Sequence, residues 1–345
     1  MIFHSRPWIT DEDREAVSRT LDSGFIGQGE RTVEFESAVS AWVGAAGAVA
    51  IGSGTAALHL ALKGLEVGFD DEVIVPTYVC CDVADAVRGV GARPVFCDVG
   101  QNWLVEPANI EQHVTGRTKA LILPHLYGLI TDIPAFRRFG IPIIEDCAQA
   151  FGGSHQFMVE GDIAAFSFHP TKCLTTGEGG MVASKDPELV ERMRSLRSGT
   201  NGGIGRIAFS PLSDMASSLG LSQLSRYEVM ITRRMQQAAA YAEALRGSTA
   251  RFEWYGRQPG MFFRFPVRWR HGFERARDLM AQRGVIVRRG VDELIHRQES
   301  LPDSRFPNAS ELFAQTVSLP IYPALSELEL ETCVAACRDV FRQGR

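Results

Sequence analysis

Short apolar runs alternate with helical patterns over the first two thirds of the 345-residue chain. The runs lie at 48–51, 71–76, 93–99, 119–128 (which includes a loop), 142–145, 163–168 and 180–183, and helical patterns lie between most of them. Continuous apolar strands separated by helices predict an α/β fold whose mostly parallel sheet is covered by helices on both faces. Ligands bind beyond the carboxyl ends of such strands, so the residues that follow each run are the candidates for a functional site.

The pattern changes in the last third of the chain. Residues 219–245 predict one long helix or two, and they are followed by expected strands at 261–269 and 285–290, a helix at 272–283 and a terminal helix at 327–341. This arrangement predicts a smaller C-terminal α/β domain. We expect a large domain with the N-terminal segment at residues 1–225 and a small domain at 226–345.

Composition and charge exclude several classes of protein. The 36 basic and 41 acidic side chains leave no positive excess to neutralise nucleic-acid phosphates. No apolar run approaches the roughly 20 residues of a membrane span, and the N-terminus has no apolar signal-peptide region. The seven cysteines form no C-x-x-C pair and the histidines show no paired metal spacing, so we expect no metal site. Free thiols in apolar strands fit a cytoplasmic protein.

A turn of small residues, Gly-Ser-Gly-Thr-Ala-Ala at 52–57, connects an apolar run to a helical pattern. Backbone N–H groups of Ser53, Gly54 and Thr55 could approach a phosphate there, where the helix N-terminus adds partial positive charge. A plain strand-to-helix turn explains the glycines equally well. A dinucleotide site is disfavoured, because the third glycine of G-x-G-x-x-G is missing and no βαβ unit opens the chain.

An acidic pair, Glu145 and Asp146, follows the run at 142–145. One carboxylate beside a pyridine nitrogen would keep that nitrogen protonated, as pyridoxal chemistry requires. An ordinary helix cap is the alternative explanation for such an aspartate. Gln149 would lie near the same ring.

A single lysine, Lys172, stands in the stretch FSFHPTKCLTTGEGGMV between an apolar run and a Gly-rich turn. In a partly dry pocket its pKa would be lowered, so it could attack an aldehyde and move protons. A solvent-facing lysine is the simpler alternative, but the combination with Asp146 and the glycine turn favours a functional one. Ser167 could hydrogen-bond a phosphate. Together these parts can hold pyridoxal phosphate and form a Schiff base with it.

Several stretches resemble the DegT/DnrJ-type family of pyridoxal-phosphate-dependent sugar aminotransferases, which are fold type I enzymes. The similarity covers nearly the whole chain and follows the family's order in RPWITDEDREAV, IGSGTAALHLAL, IEDCAQAFGG, FSFHPTKCLTTGEGGMV and SLPIYPALSELEL. The resemblance implies an enzyme that moves an amine from glutamate or glutamine to a keto group of a nucleotide-sugar or natural-product precursor. It also implies a homodimer in which the neighbouring subunit completes each site.

The resemblance also implies residue roles. Lys172 would be the Schiff-base lysine and Asp146 the partner of the pyridine nitrogen, while Gln149 would pack on the cofactor. The phosphate of pyridoxal or pyridoxamine phosphate would be bound by Gly54, Thr55 and Ser167. His296 falls near a family histidine.

Two positions depart from the family pattern. Cys80 stands where members often stack an aromatic ring on the cofactor, and Phe209 or Ser210 stands where an asparagine reaches across the dimer. These changes leave open a pyridoxal-phosphate lyase, cyclase or substitution enzyme acting on an amino-acid-like substrate. A non-catalytic pyridoxal-phosphate-binding regulator is a further alternative, which the presence of both Lys172 and Asp146 disfavours.

Overall fold

The strands of the protein form two separate sheets. The computed structural model describes residues 1–152, 159–199, 210–252 and 261–342. Its strands are β1 (Gly47–Ile51), β2 (Glu72–Pro76), β3 (Arg93–Cys97), β4 (Thr118–Pro124), β5 (Ile143–Asp146), β6 (Ile163–Ser167), β7 (Gly180–Ser184), β8 (Ala250–Arg251), β9 (Phe265–Trp269) and β10 (Thr316–Leu319).

The larger sheet has seven strands in the order β1-β7-β6-β5-β4-β2-β3. Neighbouring strands from β6 to β3 are parallel, and β7 alone runs antiparallel to both of its neighbours. The predicted mostly parallel sheet is therefore confirmed. The carboxyl ends of β4, β5 and β6 lie at one edge, where Asp146 pairs in register with Pro124 and with Ala165.

Helices cover this sheet on both faces. The α-helices of the described residues are α1 (Asp11–Ser23), α2 (Glu30–Trp42), α3 (Gly54–Gly64), α4 (Asp82–Gly89), α5 (Pro107–Ile110), α6 (Pro187–Ser198), α7 (Asp214–Ser225), α8 (Tyr227–Ala244), α9 (Phe273–Ala281), α10 (Ile295–Gln298), α11 (Pro307–Gln315) and α12 (Glu327–Arg342). Alternate residues of β1 enter different cores: Val49 lies in the core that includes residues of α3 and α4, whereas Ala50 lies in the core that includes Phe35 of α2. Both faces are thus apolar, as the continuous strand sequences predict.

The long helical pattern after residue 213 is two helices, α7 and α8, which meet at Arg226. The Arg226 backbone leaves the helical region with φ −118°, and its guanidinium binds the carbonyl of Trp8 and the carboxylate of Asp13. The Arg226 side chain therefore links the junction of α7 and α8 to the N-terminal segment.

The second sheet is three-stranded and antiparallel, in the order β10-β9-β8. The strand predicted at 285–290 is wrong: Val285 makes one bridge to Ile2 and Arg288 makes one to Ser318. The segment changes partners midway, so it never forms a ladder with either. The strand predicted from residue 261 begins only at Phe265.

The first residues of the chain pack with the last third of it. Ile2 lies in the core formed by the second sheet, α9 and α12, and His4 hydrogen-bonds Ser318. The division into residues 1–225 and 226–345 stays a prediction. None of the described helices combines the length and hydropathy needed to cross a membrane.

Candidate active site

Glu145 and Asp146 end β5 and have different surroundings, as expected for successive residues of a strand. Glu145 is completely enclosed: it accepts hydrogen bonds from the His125 ring (2.8 Å) and from the backbone N–H groups of Glu160 and Gly161. Burial alone would raise the pKa of Glu145, but these hydrogen bonds lower it overall. Glu145 is therefore a satisfied buried carboxylate with no free oxygen for a ligand.

The hydrogen bonds of His125 define which ring nitrogen carries the proton. The backbone N–H of Thr131 donates to Nδ1 (3.0 Å), so Nδ1 is an acceptor and Nε2 donates to Glu145. The ring is thereby held between β4 and β5.

Asp146 has one carboxylate oxygen engaged and one available. Oδ1 accepts from the backbone N–H of Ala148 (3.0 Å), and within the described part of the chain Oδ2 makes no hydrogen bond. Burial raises the pKa of Asp146 above its ordinary value, although Ala148 and the charge of Lys172 oppose that shift. The free oxygen can accept a proton donor such as a pyridinium N–H.

Lys172 lies in a tight turn after β6. Its backbone N–H donates to His169 (2.9 Å), and Thr175 and Thr176 both bond the carbonyl of Phe168. The residue is half-buried, and its Nζ lies 5.4 Å from the centroid of the Phe263 ring. Burial lowers the pKa of Lys172, and the nearby charge of Asp146 acts in the opposite direction. A larger fraction of this amine is therefore neutral and nucleophilic than for an exposed lysine.

The glycine turn at the start of α3 packs directly on the end of β6. Ser53 caps the helix by accepting from the Ala56 N–H, and a Cβ on Gly54 would lie 2.7 Å from the Cβ of Ser167. Only glycine therefore fits at position 54. Among the residues described, the hydroxyls of Thr55 and Ser167 make no hydrogen bond, so both are available to a ligand. Free hydroxyls beside a helix N-terminus suit a phosphate group.

Cys80 and Gln149 border the site in different ways. Cys80 is exposed; its thiol donates to Asp82 (3.4 Å), and partial desolvation together with that carboxylate raises its pKa to about 12. It is therefore a neutral thiol rather than a nucleophilic thiolate. Gln149 uses its Oε1 to accept from the backbone N–H of Tyr127 (2.9 Å), which fixes the orientation of its amide.

Ser210 and His296 both make contacts within this chain. The Ser210 carbonyl accepts from the Gly52 N–H (2.7 Å), beside the phosphate turn. His296 is fully buried, where it contacts Thr77 and Asp303 and stacks on Phe306 at 4.4 Å. Phe209, the other residue predicted to replace the family asparagine, lies outside the described residues.

Three residues beside Lys172 were missed from the sequence: Arg234, Phe263 and Arg264. They line one small cavity together with Lys172. Arg234 comes from α8 and the other two precede β9, so no local motif connects them. Their only sequence signal was the run of aromatic residues around an isolated arginine in MFFRFPVRW.

Known proteins resemble this chain over nearly its full length. Residues 7–338 match the DegT/DnrJ/EryC1/StrS aminotransferase family. The spore coat polysaccharide biosynthesis protein SpsC of Bacillus subtilis is 32% identical over 376 aligned positions, covering 98% of this chain and 97% of SpsC. The putative sugar aminotransferase Spr1654 of Streptococcus pneumoniae, solved in its PLP form, has a TM-score of 0.89 at 26% identity, covering 98% and 97% of the two chains. DesV of S. venezuelae, solved in complex with a ketimine intermediate, has a TM-score of 0.86 at 30% identity, with 97% and 95% covered.

The fold and the arrangement of the site define the class of protein, a pyridoxal-phosphate transferase of fold type I. The chain belongs to the DegT/DnrJ/EryC1/StrS aminotransferase family. It is thus an enzyme, an aminotransferase, and both the predicted family and the predicted class of reaction are confirmed. Membership also implies a small-molecule amino donor and a keto acceptor as substrates.

Proposed function

We propose that this aminotransferase moves an amine from glutamate or glutamine to a keto group on a sugar precursor, and that Lys172 and Asp146 are its catalytic residues. One observation supports the assignment of these two catalytic residues. Asp146 ends β5 and Lys172 lies in the turn after the neighbouring strand β6, close enough for the charge of each side chain to act on the other.

The residues present fit pyridoxal phosphate. The absence of a Cβ at position 54 lets the turn approach Ser167 closely, and the Thr55 and Ser167 hydroxyls there are available for the phosphate. When bound, the cofactor supplies an aldehyde that accepts amines and a ring that withdraws electrons. Gln149 and Cys80 are the other predicted cofactor contacts, and the Gln149 amide is already held by the backbone of Tyr127.

The protein's own groups then have distinct tasks. Asp146 would accept a hydrogen bond from the ring nitrogen through Oδ2 and, as an anion, would keep that nitrogen protonated. Lys172 would hold the cofactor through its amine. When neutral, Nζ would also take a proton from the donor carbon and return it to a neighbouring atom. A lowered pKa suits this role, because the amine must be neutral to accept the proton.

The sugar substrate is inferred from the relatives. SpsC carries the name of a polysaccharide biosynthesis protein, and Spr1654 that of a sugar aminotransferase. Both relatives align over 97% or more of either chain. The shared scaffold favours an acceptor of the same chemical class.

We also infer a homodimer with shared sites. Phe25 is 82% exposed and Ile26 49% exposed, on a loop that lines a cavity of about 920 Å³ with α1 and α7. The backbone N–H of Asp214 donates to the Gly27 carbonyl in this loop. Four residues earlier in the chain, the Ser210 carbonyl accepts from the Gly52 N–H of the phosphate turn. A second copy that covers these apolar side chains would therefore lie beside the phosphate turn.

The proposal is tested by absorption spectroscopy of the protein loaded with pyridoxal phosphate. L-glutamate or L-glutamine should convert the bound cofactor to its amine form with release of the matching keto acid. A panel of keto-sugar nucleotides should then restore the starting spectrum. An unchanged spectrum with every amino donor would contradict the proposed function.

A further inference from the structure

Three side chains with metal-binding groups meet at the start of α4. After β2 the chain runs through Cys80, Cys81 and Asp82 into the first turn of the helix, where the backbone N–H of Val83 donates to the Cys80 carbonyl. The two thiol sulfurs and a carboxylate oxygen of Asp82 all lie within 4.8 Å of one another. The sequence predicts no metal site here, because adjacent cysteines lack the C-x-x-C spacing.

The thiols of this cluster are the ones that solvent reaches. Cys80 is exposed and Cys81 is half-buried, whereas the other five cysteines of the chain are buried. The Asp82 side chain is exposed as well. A metal ion can therefore approach all three groups directly from water, and such an entry path is a requirement for a binding site.

The Asp82 carboxylate is available to a cation. Its Oδ2 accepts from the Cys80 thiol at 3.4 Å, and among the described residues no lysine or arginine nitrogen lies within 4.0 Å of it. Asp85, three residues further along α4, is also exposed but pairs with Arg88 at 2.8 Å. The two carboxylates of this helix therefore differ in their neighbours: Asp85 has a guanidinium beside it and Asp82 has two thiols.

The separations within the cluster fit a tetrahedral zinc ion. Zinc binds a thiolate sulfur at about 2.3 Å and a carboxylate oxygen at about 2.0–2.2 Å, so two such ligands lie roughly 3.5–3.8 Å apart. The Cys80 sulfur and the Asp82 oxygen are 3.4 Å apart, and the other pairs lie within 4.8 Å, which small side-chain rotations reduce to that range. Two sulfurs disfavour magnesium and calcium, which prefer oxygen ligands.

The backbone at the start of α4 supports negatively charged ligands. Partial desolvation is the largest cause of the raised pKa of Cys80, but the backbone N–H of Asp82 donates to its sulfur and favours the thiolate. The N-terminus of the helix adds partial positive charge. Two thiolates and one carboxylate would carry three negative charges, of which a zinc ion neutralises two.

We propose that Cys80, Cys81 and Asp82 bind one zinc ion, with a water molecule in the fourth position. Binding forms two Zn–S bonds and one Zn–O bond, and the two thiol protons pass to solvent. Three protein ligands leave one coordination position open, so the site differs from the closed, four-ligand sites that serve structure. The proposal is independent of the function proposed above, because the site uses neither Lys172 nor Asp146.

The test is a metal titration of the full-length protein freed of cofactor, with Co²⁺ as a spectroscopic substitute for Zn²⁺. One equivalent of Co²⁺ should produce near-ultraviolet thiolate-to-metal absorption and the visible bands of tetrahedral cobalt, and Zn²⁺ should abolish both. Cys81→Ser should raise the Kd for Zn²⁺ by about a hundred-fold or more, because it removes one of two thiolate ligands. Asp82→Asn should raise it by roughly ten-fold or more, since an amide oxygen is the weaker ligand.

The matched control is Asp85→Asn. This substitution removes the same charge from the same helix but leaves the three ligands in place. The Kd for Zn²⁺ should change by less than about three-fold, the effect of one screened surface charge. Equal losses in Asp82→Asn and Asp85→Asn would mean that zinc responds only to the net charge of α4, which would overturn the proposal.

Two further results would overturn it: no thiolate-to-metal absorption in the wild-type protein, or full absorption in Cys81→Ser. Should Cys81→Ser fail to fold, as judged by circular dichroism, Cys80→Ser decides, because Cys80 is exposed and its substitution disturbs no core. An unchanged Kd for Zn²⁺ in Cys80→Ser would contradict the proposal. None of these results bears on the conversion of the bound cofactor by glutamate, which is measured separately and tests the proposed function.

Discussion

Burial outweighs charge attraction between Asp146 and Lys172. Each of the two charges favours the ionised form of the other, yet the pKa of Asp146 is raised and the pKa of Lys172 is lowered. Desolvation is the largest cause of both shifts, so the pocket disfavours both charges. Such a pocket suits a cofactor that brings its own charges and whose ring nitrogen and aldehyde engage these two groups.

Asp146→Asn should stabilise the cofactor-free protein near neutral pH. Because the pKa of Asp146 is higher in the folded chain, the folded state binds more protons above pH 3.8, and its stability falls as pH rises through the shifted pKa. Asparagine removes that loss and can still accept from the Ala148 N–H. Thermal unfolding should give a higher Tm for the variant at pH 7, and the difference should vanish well below pH 3.8, where the carboxyl is protonated in both states. A lower Tm at pH 7 would contradict this account.

The same variant should lose activity when loaded with cofactor. Without the Asp146 carboxylate the ring nitrogen is no longer kept protonated, and we expect the conversion by glutamate to slow by about a hundred-fold or more. Stopped-flow absorption measures this rate. A variant that is more stable when empty yet slower when loaded is the combination expected of a functional residue.

Glu145→Gln should have the opposite effect on stability. The pKa of Glu145 is lowered in the folded chain, so its contribution to stability is present above pH 4.5 and is lost as pH falls through the shifted pKa. The variant should lose about 1–3 kcal/mol at neutral pH, since the charged hydrogen bonds from His125 and two backbone groups are weakened. The absorption spectrum of the bound cofactor should stay unchanged. A marked spectral change would mean that Glu145 contacts the cofactor.

Gly54→Ala should weaken cofactor binding. The added methyl group would lie 2.7 Å from the Cβ of Ser167, which forces the phosphate turn away from β6. Overpacking of this kind costs about 1–3 kcal/mol, which corresponds to a roughly ten-fold or larger rise in the Kd for pyridoxal phosphate. Gly68→Ala is the matched control, because a Cβ at Gly68 meets no atom within 4 Å. Equal affinities for the two variants, measured by fluorescence titration, would contradict the assignment of the turn.

Phe25→Asp should disrupt the proposed dimer. A charge in the apolar loop would weaken association by roughly 2 kcal/mol or more if that side chain is buried by a second copy. Sedimentation velocity should show a shift to monomer, and cofactor binding should weaken with it. Leu328→Asp serves as the control, since Leu328 is 74% exposed on α12, away from that loop. A dimer that persists in Phe25→Asp would exclude this face as the interface.

The sequence predicted the parts of the site that follow directly from strand order. Continuous apolar runs specify parallel strands, and parallel strands bring Asp146 and the turn after β1 to the same edge. Lys172 could be selected because it follows β6 at that edge. Successive side chains of a strand point to opposite faces, so those of Glu145 and Asp146 leave β5 in different directions.

The remaining features depend on contacts between distant parts of the chain. Arg234 and Arg264 reach Lys172 only because α8 and the segment before β9 fold against the turn after β6, and no periodicity encodes that contact. The absence of the strand predicted at 285–290 has the same cause. Its β-branched residues suit a strand, but Ile2 and Ser318 each offer it only one bridge.

The central claim is that Lys172 holds the cofactor, and borohydride reduction followed by peptide mapping tests it directly. The protein loaded with pyridoxal phosphate is reduced, digested and analysed by mass spectrometry, with Lys172→Arg treated in parallel. The account predicts that the cofactor's mass is found on the peptide containing Lys172 and is absent from the variant. Stoichiometric labelling of another lysine, or an unlabelled Lys172 in loaded wild-type protein, would contradict it.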